Sequence, residues 1–260
     1  RAMKLLVTRP AAQGAEWVVW LHERGVEAEP LPLIGIFPPR EAAPVREAWA
    51  GLASRRLVMF VSPNAAEQFF ALRPAGLAWP GPTIAGSPGP GTSRVLRALG
   101  VPAECIVEPA ADAAQFDSES LWLELRRHEW RGAEVLIVRG ESGRDWLADT
   151  LREQGARVGF VTAYERRAAL LDDAQRALLR AALADPGAYV WMFSSSESID
   201  HLDALAPGTD WRASRALATH PRIAARARQA GFGAVHECRP SLDAVVACLQ
   251  SIEIRPRSPT

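Results

Sequence analysis

The sequence has no excess of charge of either sign. Its 30 Lys and Arg residues balance 30 Asp and Glu residues, and no long run of one sign is present. Because bulk nucleic-acid binding depends on an excess of basic groups along the phosphate backbone, we expect no nucleic acid among the partners. An anionic small molecule would have to be held by a few local groups instead.

Cysteine is scarce and scattered. Cys105, Cys238 and Cys248 form no CxxC pair, so neither a disulfide framework nor a structural zinc site is encoded, and we expect no bound metal. An odd number of cysteines without a pairing pattern is typical of proteins in a reducing compartment. We therefore expect a cytoplasmic protein.

Long apolar runs and the common nucleotide motifs are also missing. No stretch approaches the roughly 18 consecutive apolar residues of a membrane span, and residues 3–7 enter a strand-like run without a signal-peptide core. We expect no association with a membrane. Residues 86–91 lack the GxGxxG order of a dinucleotide site, and the chain contains neither a P-loop nor a GxSxG nucleophile motif.

The sequence does contain an internal repeat. Residues 5–10 resemble residues 135–140, with Arg9 and Arg139 130 positions apart. Residues 58–63 resemble residues 191–196, and the alignment of Phe60 with Phe193 gives an offset of 133. A third match aligns Gly100 with Gly231 at an offset of 131. Three matches in the same order at nearly equal offsets indicate duplication of a half-chain unit.

Each half alternates short apolar runs with helix-periodic stretches, which is typical of parallel α/β sheets. With 48% hydrophobic residues in 260, the chain has enough apolar material for one large or two ordinary domains. Two five-stranded parallel sheets are the simplest arrangement, although the repeat does not show whether each domain is a contiguous half or exchanges its first βαβ piece. The predicted strands lie near residues 5–8, 29–34, 57–61, 83–86, 104–108, 134–138, 157–163, 188–193, 215–218 and 233–236.

Polar joints and turns complete the pattern. Residues 35–39 and 164–167 are candidate hinges, and residues 251–259 are predicted to form a tail. Ligands of open parallel sheets bind beyond the carboxyl ends of the strands. A single Ser- or Gly-containing turn indicates only a helix cap, but six such turns favour several carboxylate or phosphate cradles. They are residues 8–10, 62–64, 89–93, 139–144, 194–196 and 219–222.

Tyr164 is the most informative single residue. The repeat offset of 130 places Ile34 at its counterpart, so one half has a phenol where the other has an apolar side chain. Packing of a linker would explain a tyrosine here, but its place at a candidate hinge favours a functional role.

On these residues the chain resembles the uroporphyrinogen-III synthase family over nearly its full length. The most specific stretch is Arg-Gly-Glu-x-Gly-Arg at 139–144, followed by a helix, Gly155 and Tyr164. The other resembling stretches are residues 6–10, 60–65, 89–93 and 220–224. The resemblance implies two flavodoxin-like domains with parallel five-stranded sheets joined by two linker strands. Domain 1 would comprise residues 1–36 and 168–260, and domain 2 would comprise residues 37–167, with the active site in the cleft between them.

The resemblance also implies a cofactor-free hydro-lyase of heme biosynthesis. Its substrate would be hydroxymethylbilane, a linear tetrapyrrole with eight carboxylates, cyclised with loss of water and inversion of ring D to uroporphyrinogen III. Tyr164 would help the terminal hydroxyl to leave as a proton donor. We expect a monomer that receives its substrate by transient hand-over from the preceding deaminase. The residues expected to bind substrate carboxylates are Arg9, Ser62, Thr92, Ser93, Arg139, Arg144, Ser195, Thr219, His220 and Arg222.

Two other functions fit parts of the pattern. A non-catalytic two-domain sensor for an anionic small molecule would use the same hinges and cradles. A sugar-phosphate enzyme is disfavoured because no acid/base carboxylate pair lies near a predicted strand end.

Overall fold

A computed structural model describes residues 3–254. The chain divides into two compact units. Unit 1 contains the described residues up to Gly35 and from Arg167 onward, and unit 2 contains Ile36–Arg166. No helix within residues 3–254 combines the length and the apolarity that a membrane crossing requires.

Unit 1 is built on a five-stranded parallel sheet. Reading across the sheet, the order is β2-β1-β10-β11-β12, which is the flavodoxin-like order once the strands are numbered within the unit. The strands are β1 (Lys4–Val7), β2 (Ala28–Pro30), β10 (Tyr189–Phe193), β11 (Arg215–Ala218) and β12 (Ala234–Glu237). The helices are α1 (Ala11–Glu23), α7 (Asp173–Ala184), α8 (Ser196–Leu205), α9 (Pro221–Ala230) and α10 (Leu242–Ile254).

Side-chain alternation along the central strands gives this sheet two apolar faces. Leu6, Trp191 and Phe193 pack with helices α7, α8 and α9. Leu5 and Met192 point the other way and pack with α1 and α10. Since both faces are covered, the strands read as continuous apolar runs, as parallel strands buried on both sides do.

Unit 2 has a second five-stranded parallel sheet, in the order β6-β5-β4-β7-β8. Its strands are β4 (Leu57–Phe60), β5 (Ile84–Gly86), β6 (Ile106–Val107), β7 (Glu134–Arg139) and β8 (Arg157–Thr162). Its helices are α2 (Ala43–Ala50), α3 (Pro63–Ala71), α4 (Pro90–Ala98), α5 (Ser118–Leu125) and α6 (Trp146–Glu153). Val58 and Leu136 face the core formed with α2, α3 and α4, whereas Met59 and Ile137 face α5 and α6.

The sheet orders explain the internal repeat. Matching β7 with β1, β8 with β2, and β4 to β6 with β10 to β12 gives the same spatial order in both sheets. These pairs are the ones that the sequence repeat predicts, since residues 5–10 match residues 135–140 and residues 58–63 match residues 191–196. The predicted α/β fold with two parallel five-stranded sheets is confirmed.

The connecting segments differ from the residue-based expectation. The predicted strand at 29–34 is two strands, because β2 ends at Pro30 and β3 (Ile34–Phe37) begins after Pro32. Prolines donate no ladder hydrogen bond, so they interrupt the run. The predicted joint at 164–167 contains β9 (Glu165–Ala168), which pairs with β3 in a two-stranded sheet. The two linker strands implied by the family resemblance are therefore present.

The helices end at the glycines and begin at the N-cap that the sequence predicts, but the last helix extends into the predicted tail. Gly100 and Gly231 end their helices at φ of 99° and 103°, in the left-handed region that suits glycine. Asp117 caps α5 by accepting a hydrogen bond from the backbone N–H of Ser120 at 2.8 Å. The predicted tail at 251–259 is wrong at its start, because α10 continues to Ile254 and Ile252 is buried. Residues 255–259 lie outside the described residues.

Candidate functional site

Tyr164 lies just beyond β8, is only 4% exposed and belongs to the apolar core formed with α2, α3 and α4. Its hydroxyl is 3.4 Å from the Oγ of Ser62, which follows β4. A Cβ placed on Gly140, which follows β7, would lie 3.1 Å from Cε2 and Cζ of the tyrosine ring. The carboxyl ends of three neighbouring strands therefore meet around one phenol, and a side chain at position 140 would press against its ring.

Ser62 connects this phenol to a helix terminus. It is the N-cap of α3, and its Oγ accepts a hydrogen bond from the N–H of Ala65 at 3.1 Å. Because that bond uses only a lone pair, the hydroxyl proton of Ser62 is still available to Tyr164. A tyrosine hydroxyl with a serine donor beside it can give up its own proton while its oxygen gains a hydrogen bond.

Arg139 is fixed on the same edge of the sheet. Its guanidinium lies over the ring of Phe160, with Cζ 3.8 Å from the ring centroid, and Nη1 donates to Asp145 at 2.8 Å. The side chain is 19% exposed, so this charge is shielded and its orientation is set by the ring and the carboxylate. Further N–H groups of the same guanidinium can donate to a ligand.

Arg144 forms an ion pair with Glu119 of α5. The hydrogen bond from Arg144 holds the pKa of Glu119 below its usual value, and the carboxylate raises the pKa of Arg144. Both side chains are well exposed, with 62% of Arg144 accessible, so the pair adds little to stability. Its effect is to connect the loop after β7 to the start of α5.

Thr92 and Ser93 lie in the first turn of α4 and are buried. The hydroxyl of Ser93 donates to Ser87 at 2.7 Å and approaches the carbonyl of Gly89 at 3.1 Å. Ser87 itself donates to the Gly89 carbonyl at 2.8 Å. The Ser93 hydroxyl thus stabilises the loop after β5, and α4 begins after the N-cap Gly89 without a side-chain cap.

In unit 1, Arg9 follows β1. Its guanidinium lies 4.9 Å from the ring of Trp17 on α1, and its Nε is buried without a hydrogen-bond partner among residues 3–254. Burial lowers the pKa of Arg9 to about 10, so the group stays charged at neutral pH.

Ser195 follows β10, which lies next to β1, and Thr219 follows β11, which lies next to β10. Ser195 is the N-cap of α8, but its side chain makes no capping hydrogen bond. The neighbouring Ser194 has a buried Oγ that finds no partner in the described part of the chain. Thr219 is 8% exposed, and its N–H donates to the carbonyl of Phe193 at 3.3 Å.

His220 and Arg222 form the start of α9. The Nδ1 of His220 accepts a hydrogen bond from the N–H of Arg222 at 3.0 Å, which makes His220 a helix cap with its Nε2 turned away from that bond. Both side chains are exposed. The Thr92 counterpart in this unit is Ile223 at an offset of 131, and it is 8% exposed.

The structure therefore groups the expected site residues within each unit. In unit 2, Ser62, Arg139 and Tyr164 end adjacent strands, and in unit 1, Arg9, Ser195 and Thr219 do so. Sequence reasoning missed Asp145 and Phe160, and within the turn at 194–196 it selected Ser195 rather than Ser194. Asp145 directly follows the recognised motif and carried a usable signal, whereas the contact of Phe160 with Arg139 and the burial of the Ser194 Oγ depend on packing.

Comparisons with known proteins agree on one family. The family model described as Uroporphyrinogen-III synthase HemD matches residues 15–247. The chain is 31% identical over 217 residues to the uroporphyrinogen-III synthase of Synechococcus elongatus, covering 80% of this chain and 78% of the relative. It is 28% identical to that of Salmonella typhimurium over 238 residues, covering 88% and 92%.

Solved structures are similar in fold. A mutant uroporphyrinogen III synthase from Thermus thermophilus has a TM-score of 0.55 at 18% identity, with 97% of this chain and 98% of that chain covered. The enzyme from Helicobacter pylori also has a TM-score of 0.55, at 15% identity, with 98% and 100% covered. The match of the family model over most of the sequence, together with these relatives, shows that the chain belongs to the uroporphyrinogen-III synthase family.

Proposed function

We propose that this chain catalyses the uroporphyrinogen-III synthase reaction, in which hydroxymethylbilane loses water and closes with inversion of ring D. The observation that carries the proposal is the buried Tyr164 hydroxyl, 3.4 Å from Ser62 at the carboxyl edge of a parallel sheet, in a chain of this family. The comparisons do not favour a non-catalytic sensor.

Tyr164 acts as the proton donor to the leaving hydroxyl. As the C–O bond breaks, its electron pair stays with oxygen, the phenol proton moves to that oxygen, and water departs. The Ser62 hydroxyl then donates to the tyrosine oxygen while Ala65 keeps Ser62 in place. Proton donation of this kind contributes roughly 10² to 10⁴ in rate.

Positioning is the larger task, because the substrate ionises readily to a reactive azafulvene. The chain must fold the tetrapyrrole so that inversion of ring D is faster than direct closure. Arg139 has a fixed orientation between Phe160 and Asp145, which suits it to hold a carboxylate at a defined place. Ser93 supports this task through the loop after β5 rather than by direct contact.

The remaining proposed carboxylate contacts come from both units. In unit 1 the contacts are the side chains of Arg9, Thr219, His220 and Arg222, together with Ser195 at the start of α8. In unit 2 they are the side chains of Ser62, Thr92 and Arg144. We propose residues 1–36 with 168–260 and residues 37–167 as the functional domains of a monomeric cytoplasmic hydro-lyase. Transient hand-over from the deaminase that makes hydroxymethylbilane fits a substrate that closes by itself in water.

The test is an isomer assay with a matched tyrosine control. Freshly generated hydroxymethylbilane is supplied, the products are oxidised to porphyrins, and isomers I and III are separated by chromatography. We expect mainly isomer III from the wild type and from Tyr189→Phe, the only other tyrosine, and a turnover about a hundredfold lower for Tyr164→Phe. Isomer I alone from folded wild-type protein would refute the function. An unchanged rate for Tyr164→Phe would refute the role of this tyrosine.

A further inference from the structure

The duplication provides an internal comparison for Arg9. Arg9 and Arg139 lie at equivalent positions, directly after β1 and at the end of β7, and each guanidinium lies against an aromatic ring. Arg139 has a carboxylate partner in Asp145 at 2.8 Å. At the same offset of 130, unit 1 has Ala15 in place of that aspartate. The counter-charge present in unit 2 is therefore missing from the equivalent place in unit 1.

Among residues 3–254, no carboxylate is seen to take the place of Asp145 beside Arg9. Its Nε is buried without a partner in the described part of the chain, and burial alone accounts for the fall of its pKa to about 10. The contact with Trp17 satisfies the face of the guanidinium but none of its N–H groups. A buried cation without a hydrogen-bonded anion is costly, which makes it a poor choice for stability alone.

A second buried polar atom lies just beyond the adjacent strand, β10. β1 and β10 pair in parallel with Val7 opposite Met192. Arg9 and Ser194 are each two residues beyond that last pair, at the same edge of the sheet. Thr8 holds the two strand ends together through a 2.6 Å hydrogen bond from its Oγ1 to the carbonyl of Met192. The Oγ of Ser194 is buried, and it too has no hydrogen-bond partner within residues 3–254.

The helices that follow these strands add partial positive charge. α1 begins after Pro10, and α8 begins after Ser195, and neither N-cap side chain makes a capping hydrogen bond. The positive end of each helix dipole therefore favours an anion at this edge. Within residues 3–254, two buried polar atoms without a hydrogen-bond partner and two helix N-termini without a side-chain cap lie at one edge of the sheet, where a single anion would suit all four.

We propose that the Nε of Arg9 and the Oγ of Ser194 bind one carboxylate of the anionic substrate in a preformed site on unit 1. The proposal rests on the proposed function for the identity of that carboxylate. It assigns the serine contact to Ser194, whereas the sequence pattern selects Ser195. The site resembles the Arg139 pair of unit 2, with a ligand carboxylate in the place of Asp145.

The first experiment measures anion binding without turnover. Citrate serves as the probe, at constant ionic strength against chloride, and the melting temperature of each variant is recorded. We expect citrate to stabilise the wild type and Arg212→Met, an exposed arginine paired with Asp210 in unit 1. For Arg9→Met the stabilisation should be smaller, since only the other proposed anion contacts remain, while the melting temperature without citrate is unchanged or higher because a largely buried charge is removed. Equal citrate stabilisation of the wild type and Arg9→Met would overturn the proposal.

The second experiment measures the KM for hydroxymethylbilane in the isomer assay. We expect Arg9→Met to raise KM roughly 10- to 100-fold, the range for a lost hydrogen bond to a charged group, with isomer III still the main product. Ser194→Ala should raise KM by a smaller factor, and Ser251→Ala on the exposed face of α10 is its control. If the wild type makes isomer III and neither Arg9→Met nor Ser194→Ala changes KM, this inference fails and the proposed function stands. If the wild type makes only isomer I, the function fails, and the citrate result decides the anion site by itself.

Discussion

At the scale of single residues, the site depends on small side chains as much as on charged ones. Gly140 has no chemistry of its own, but the ring of Tyr164 occupies the space that any side chain there would need. The Arg-Gly order at 139–140 therefore has two separate purposes. The arginine supplies donors, and the glycine lets the phenol reach Ser62.

We predict that Gly140→Ala displaces the Tyr164 ring. The added Cβ would lie 3.1 Å from two ring carbons, so either the ring or the strand end must move, at a cost of about 1–3 kcal/mol in the free energy of unfolding. We also expect this variant to form isomer III more slowly than the wild type, because the Tyr164 hydroxyl is displaced. Gly159→Ala in β8 is the matched control, because nothing lies within 4 Å of the new Cβ, and it should retain both activity and stability. Full activity in Gly140→Ala would show that the ring position is unimportant.

A second residue-scale prediction concerns the thiols. A hydrogen bond from Cys238 lowers the pKa of Cys248 to about 7 and raises that of Cys238, whereas burial raises the pKa of Cys105. Because the thiolate is the nucleophile, Cys248 should react first with iodoacetamide, at a rate that rises through about pH 7. Peptide mass spectrometry would follow each site. Cys238→Ala should move this rise to higher pH, and a Cys248 that reacts only above about pH 8.5 in the wild type would contradict the prediction.

At the scale of elements, the helix N-termini of the two units are equivalent in position but not in bonding. Ser62 caps α3 through the N–H of Ala65 at 3.1 Å, whereas its counterpart Ser195, 133 residues later, makes no side-chain cap on α8. The duplication has therefore kept the turn while changing what the turn binds.

This difference predicts unequal effects of the same substitution. Ser62→Ala should lower the free energy of unfolding by about 1 kcal/mol, the usual cost of a lost N-cap. Ser195→Ala should change it by only a few tenths, because no capping bond is broken. Urea unfolding of both variants beside the wild type would measure the difference. Equal losses would mean that Ser195 caps its helix in solution.

The sequence predicts elements better than it predicts contacts. The repeat predicts that β1 is equivalent to β7 and that β4 is equivalent to β10, because duplicated apolar runs fold into equivalent strands of the two sheets. β9 at 165–168 was expected only as a joint, since Glu-Arg-Arg has no strand-like alternation of apolar residues. The partnership of Arg139 with Asp145 and the buried Oγ of Ser194 depend on side-chain packing, which periodicity does not encode.

At the scale of the whole molecule, the two units differ in how many segments of the chain form them. Unit 2 is one continuous segment, and both of its apolar cores consist of residues within 36–166. Unit 1 is made of two segments, and β1 from the first segment lies between β2 and β10 in its sheet. Folding of unit 1 therefore requires residues from both ends of the chain, whereas folding of unit 2 does not.

We predict that a fragment of residues 36–166 folds by itself and unfolds cooperatively in urea, because it retains a complete sheet with both faces covered. A fragment of residues 167–260 should not fold, since it lacks β1 and leaves the apolar strand β10 as an open edge. Circular dichroism and urea titration of each fragment would measure this.

Joining the two segments of unit 1 provides the control for that failure. The N–H of Ala169 donates to the carbonyl of Leu33 at 3.2 Å, so a short Gly-Ser linker between residues 35 and 167 can close the chain without strain. The joined protein, 1–35 followed by 167–260, should regain cooperative unfolding because β1 again pairs with β10. If residues 167–260 alone unfolded as cooperatively as the joined protein, β1 would be dispensable and the exchange of the first βαβ piece would have no part in stability.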